Sequence, residues 1–224
     1  MALRNKLQAL HALGADIMVI QECSRPDINK IARSEGWSSW FVGDNPNKGL
    51  AVLAKAPWII RKARVLKPKW TGKLTIDGPA LIELFPVWAH RSESPAAEYI
   101  EQVHLLLDII ERALVSPFTI VAGDFNSHSR WDRSYRIKNH TAAVERFHKL
   151  GLKSAYHEFS GDLQGAEEKC PTHWHLKNKN KPYHVDYIFL GRDLLPKRRA
   201  VVVGGCDDWL SLSDHAPLLV EIDL

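Results

Sequence analysis

FTIVAGDFN, residues 118–126, decides the fold. The run Phe118 to Ala122 is apolar and rich in β-branched residues, the composition of a buried strand. It stops on Gly123, Asp124, Phe125 and Asn126. Read alone, GDFN is equally a turn in which Asp and Asn bond their own backbone. Phe125 argues for the other reading, because a large aromatic between two polar residues is a costly way to make a turn. A strand that plunges into a core and ends on a carboxylate and an amide is a platform for chemistry.

The same pattern recurs on both sides of this stretch. DIMVIQE (16–22), KGLAVLAK (48–55), YHVDYIFLG (183–191), RRAVVVGG (198–205) and APLLVEI (216–222) read as further buried strands. ALIELFPVWAH (80–90) alternates and then turns uniformly apolar, and Pro86 predicts a bulge or a sheet edge there. Helices interrupt the strands. Leu3, Leu7, Leu10 and Leu13 recur at helical spacing over 3–13, and Gly14 ends that segment. Residues 96–114 place Ile100, Val103, Leu107, Ile110 and Leu114 on one face. Residues 140–151 turn Ala143, Phe147 and Leu150 inward. Strands too apolar for a one-faced sheet, broken by a few helices, predict an α/β sandwich. No repeat, low-complexity tract or linker divides it, so residues 1–224 read as a single domain.

Composition narrows the function. The chain of 224 residues is 45% hydrophobic and 25% charged, an ordinary globular balance. No apolar run reaches the ~18 residues of a membrane span. The first residues are spaced as a helix and lack a cleavage site, which predicts a cytoplasmic protein without a signal peptide. Cys23, Cys170 and Cys206 are odd in number and far apart, and read as free thiols in a reducing compartment. A net charge of +4 leans towards an anionic partner. Nothing points to an obligate protein partner.

Polar residues then fall where strands end. Glu22 closes DIMVIQE, His90 closes LFPVWAH, Asp124 and Asn126 close FTIVAGDFN, Asp186 opens DYIFL, and Asp214 and His215 precede PLLVEI. Each has a bland reading: a solvated Glu, a partly buried His, a local turn. Asp186 is the hardest to dismiss, since a carboxylate in so apolar a strand needs a partner. Together the groups suit phosphate chemistry. Oxygen ligands fit Mg²⁺ or Mn²⁺, and no Cys/His cluster asks for zinc. A histidine oriented by a carboxylate serves as base or as cationic donor. The set describes metal-assisted phosphodiester hydrolysis.

The ordered motifs QE (21–22), GDFN (123–126), VDYIFL (185–190) and SDHAPLLVEI (213–222) resemble the endonuclease/exonuclease/phosphatase superfamily, its uncharacterised bacterial members above all. The likeness runs from Leu3 to Leu224. It implies a four-layer α-β-β-α sandwich of two mostly antiparallel sheets with the site at one edge. By that resemblance Glu22 binds the metal and Asp214 joins a metal site. Asp124 orients or activates the attacking water, and Asn126 contacts phosphate or metal. Asp186 bonds the catalytic His215, and His90 matches an extra histidine of the deoxyribonuclease and sphingomyelinase branches. The family also begins with a strand ending in a Trp-Asn-like pair. Met1 stands where that strand would end, so the first strand is expected to be truncated and its asparagine absent.

Substrate is read from cations interleaved with aromatics. Lys67, Lys69 and Lys73 flank Trp70, Lys177, Lys179 and Lys181 follow Trp174, and Trp131 follows GDFN. Such a surface grips a nucleic-acid backbone and stacks on bases; solvated loops under a tryptophan lid would read the same. A metal-dependent nuclease on DNA or RNA is the first expectation. The alternatives are a phosphatase or phosphodiesterase on a small phosphate ester, and a catalytically impaired nucleic-acid-binding member lacking the first-strand Asn.

Overall fold

The computed structural model describes residues 3, 6–90, 99–113, 115–165 and 168–224. The chain runs α1 (Leu7–Ala12), β1 (Ile17–Cys23), α2 (Arg25–Glu35), β2 (Ser38–Asn45), β3 (Lys48–Ala54), β4 (Ile59–Val65), β5 (Gly72–Asp77), β6 (Ile82–Trp88) and α3 (Tyr99–Arg112). It continues through β7 (Thr119–Asp124), α4 (His140–Lys149), β8 (Lys153–Ser154), α5 (Ala155–Ser160), β9 (His173–Trp174), β10 (Pro182–Tyr183), β11 (Asp186–Leu190), β12 (Arg198–Val203), α6 (Cys206–Trp209) and β13 (Leu218–Ile222).

One sheet orders its strands β4-β5-β6-β7-β11-β8, with β6–β7 as its parallel pair. The facing layer comes in two pieces, β1-β3-β2 and β12-β13. Burial arranges four layers. Phe85, Val87, Val121 and Phe189 of the large sheet pack on Val103, Leu107 and Phe147 of α3 and α4. Its other face meets Val52 and Ala54 of β3, and Val201 and Val220 of the β12-β13 pair. Ile28 and Ile31 of α2 cover Ala51 and Leu53 on the outside. Each fully buried large apolar side chain contributes roughly 1.5–3 kcal/mol, so these interleaved rows hold the layers in register.

The α/β sandwich expected from the apolar runs is therefore present, with corrections. Pro86 makes neither an edge nor a bulge. It sits in an interior strand opposite Ala122, and the β5–β6 pairing lapses between Leu84 and Val87, where proline has no N–H to give. The segment 183–191 divides into β10 and β11. The helix predicted over 96–114 is observed over Tyr99–Arg112; residues 96–98 and 114 lie outside the described residues.

Among the described residues, β1 pairs only with β3 and β13 only with β12. Each leaves one backbone edge open. Both edges border a single cleft of about 580 Å³, floored by Ile82, Leu84, Ile120 and Ile188 and lined by Leu10 and Leu13 from the α1 side.

Candidate active site

Strand pairing assembles the site. Asp186 at the start of β11 lies in register opposite Asp124 at the end of β7. Gly123, just before it, has φ 141°, and a Cβ there would lie 1.9 Å from the Val87 carbonyl oxygen. Only glycine lets β7 approach β6 closely enough to set Asp124 at this point. Thr172 Oγ1 accepts from the backbone N–H of both Val185 (3.0 Å) and Asp186 (3.1 Å), which fixes the first residue of β11.

His215 reaches the same place from the other layer. Its Nδ1 lies 2.9 Å from Asp186 Oδ2. An isolated bridge joins it to His173, and Trp174 N–H donates to the Asp214 carbonyl at 2.8 Å. Ligand atoms of Asp124, Asp186 and His215 all fall within 4.8 Å of one another. Asn126, at φ 47°, turns back on the cluster. Its backbone N–H donates to Asp124 Oδ1 (2.7 Å), and its Nδ2 donates to Asp124 Oδ2 (2.8 Å) and the Ala89 carbonyl (3.0 Å). A non-glycine residue held in the left-handed region here marks a local constraint.

The electrostatics follow from burial and crowding. Burial, then the neighbouring Asp186, pushes the Asp124 carboxyl up. Burial alone would lower His215, but the Asp186 carboxylate outweighs it and lifts the imidazole to about 10. The two facing acids and the Asn126 amide beside them offer mainly hard oxygen donors. That donor set fits a divalent cation of the Mg²⁺ kind.

The remaining predicted residues stand around this core. Glu22 has φ 56° at an irregularity in the β1–β3 pairing, and its Oε1 pairs with Lys48 Nζ at 3.0 Å. Its charge acts on Asp124, and the charge of Asp214 acts on His215; neither belongs to the 4.8 Å cluster. His90 follows β6 with its ring against Trp70 (4.5 Å) and Tyr99 (6.4 Å). Trp131 is 40% exposed, and its ring lies 4.8 Å from Tyr183. Several lysines of the predicted cationic surface are already engaged: Lys69 by Asp44, Lys73 by Glu83, Lys179 by Asp207 and Lys177 by the Ser211 carbonyl. Thr172 and His173 escaped the sequence reading. Their signal was PTHWH (171–175), where a Thr and two His interrupt the approach to the Asp186 strand.

A two-sheet α/β sandwich thus gathers carboxylates, an amide and an imidazole at adjoining strand ends. The chain belongs to the Endonuclease/Exonuclease/phosphatase family, whose model matches residues 2–215. Solved structures share the fold at low identity. A variant of the 3' phosphatase NExo from Neisseria, bound to product DNA hairpin, is 16% identical with TM-score 0.71, covering 100% of this chain and 96% of that one. An AP endonuclease from Archaeoglobus fulgidus is 16% identical with TM-score 0.72 and the same coverage. The catalytic domain of Xenopus laevis APE2 is 16% identical with TM-score 0.66, covering 99% and 88%. No curated protein matches the sequence.

Proposed function

We propose that this domain is a divalent-metal-dependent phosphodiesterase acting on nucleic acid, with DNA as the first substrate. The observation that carries the reading is the Asp124–Asp186 register pair with His215 bound to Asp186 at 2.9 Å. Support comes from neighbours described as an AP endonuclease and as a phosphatase bound to a DNA product.

The roles divide as follows. Asp186 holds Nδ1 of His215, so Nε2 is left to donate to a phosphate oxygen. Asp124, its carboxyl raised by burial, is tuned to take a proton from an attacking water. Asn126 holds Asp124 in orientation and turns its amide to the phosphate when substrate enters. Glu22 and Asp214 would hold Mg²⁺ or Mn²⁺, which when bound would supply positive charge to offset that on the phosphate and leaving oxygen. Trp131 with Tyr183 offers a stacking surface for a base. His90 steadies the strand end behind Asn126, whose amide bonds the adjacent Ala89 carbonyl.

A second reading, a phosphatase on phosphate esters, is favoured by the 3' phosphatase among the similar folds. A panel of supercoiled plasmid, abasic duplex, 3'-phosphorylated hairpin, single-stranded RNA and a generic phosphodiester, each with Mg²⁺ and with chelator, separates the two. Metal-dependent nicking or abasic cleavage is the expected result. Release of inorganic phosphate alone selects the phosphatase, and salt-sensitive DNA binding without turnover contradicts both.

A further inference from the structure

His173 stands against the catalytic histidine, and none of the roles above employs it. Its ring centroid lies 4.4 Å from that of His215, tilted by 42°. The backbone bridge between them, with Ala216 N–H donating to the Thr172 carbonyl at 2.8 Å, locks the two segments side by side. Stacking by itself would be served by a phenyl ring. Histidine here leaves its Nδ1 buried without a hydrogen-bond partner, a desolvation cost that a carbon ring does not carry.

The other nitrogen explains the choice. His173 Nε2 is neither among the buried unpartnered atoms nor bonded within the described residues, so it meets solvent. His215 Nε2 is in the same position, because Asp186 engages its Nδ1. A neutral imidazole carries one N–H, and the proton goes to the nitrogen that can find an acceptor. With centroids 4.4 Å apart, the two imidazoles lie side by side at the site.

We propose that His173 is a second imidazole donor to the phosphate of the substrate, acting beside His215 through its Nε2–H. This rests on the site being a phosphate-ester site, and it involves a hydrogen bond only, with no covalent step.

Inorganic phosphate titrated into the metal-free protein, followed by the imidazole NMR signals, reads the contact without turnover. Phosphate should move the signals of both His173 and His215. His173→Phe, which keeps the ring, should weaken phosphate binding by about tenfold, the scale of one hydrogen bond to a charged group. His173→Gln, which restores an N–H, should recover part of it, with both variants melting near the parent. A loss of nuclease activity with this contact intact would count against the phosphodiesterase reading only. Phosphate that moves His215 alone, or moves neither, overturns the proposal. So does a His173→Phe variant that binds phosphate as the parent does.

Discussion

Asp186 faces Asp124 across the β7–β11 ladder and bonds His215 at the same time. Two acids and an imidazole so coupled act as a unit, and their losses should not add. His215→Ala should cut cleavage by ~10²–10⁴-fold, the usual scale for an acid–base residue, with folding intact. Asp186→Asn should cost less, because the amide keeps a hydrogen bond and loses only the charge. The double variant should be little slower than His215→Ala. Single-turnover rates from this cycle check the coupling, and fully additive losses would show the residues working separately. Gly123 is as exacting for a different reason. Alanine there meets the Val87 carbonyl oxygen at 1.9 Å from a φ of 141°, so β6 and β7 must part. Gly123→Ala should lose on the order of 3 kcal/mol in denaturant unfolding, as overpacked and backbone-strained sites do. A loss under about 1 kcal/mol would mean the strands have slack that the pairing does not show.

Elements differed in how openly the sequence declared them. The buried strands β1, β3, β7 and β13 stand out as apolar runs with polar ends, and those ends carry most of the site. β4 escaped notice because it is nearly all exposed, with Arg61, Lys62 and Arg64 in its middle. β5 alternates buried and half-buried residues over a short span, a weak period. α2 was missed although its caps are written plainly: Ser24 accepts from Asp27 N–H, and Gly36 closes the helix at φ 68°. Ser24→Ala should therefore cost ~1 kcal/mol of stability, measured by denaturant midpoint, and an unchanged midpoint would leave the cap without weight. The convergence of Asp124, Asp186 and His215 was not written in spacing at all. It depends on β11 pairing with β7 and on the His173–His215 bridge, long-range contacts that the motif order reached only by resemblance.

At the scale of the whole molecule stand a set of buried histidines and, among the described residues, two open strand edges. Burial holds His140, His173 and His184 at about 4 each, while the unfolded chain returns them to roughly 6.5. The unfolded state binds more protons in that window, so their stabilisation is full above about pH 6.5 and is lost towards pH 4. Asp124, shifted up, opposes one of the three; His215, lifted to about 10, contributes fully below roughly pH 6.5 and loses that contribution as pH rises from there through about 10. Denaturant midpoints should thus fall between pH 6.5 and 5, and a flat profile would mean these histidines protonate without cost. The open edges of β1 and β13 over one apolar cleft make a different prediction. An alternating apolar strand joined ahead of α1 should raise the melting temperature by pairing both edges; an unchanged melt would show that the cleft does not accept a strand. The central claim is that the acids and imidazole gathered at adjoining strand ends hydrolyse phosphodiesters. Mg²⁺-dependent cleavage of a generic phosphodiester by the parent and by His215→Ala tests it most directly. The account predicts metal-dependent turnover that falls at least ~10²-fold in a variant that melts as the parent does; a variant that cleaves as fast as the parent, or a parent that cleaves nothing with metal present, would contradict it.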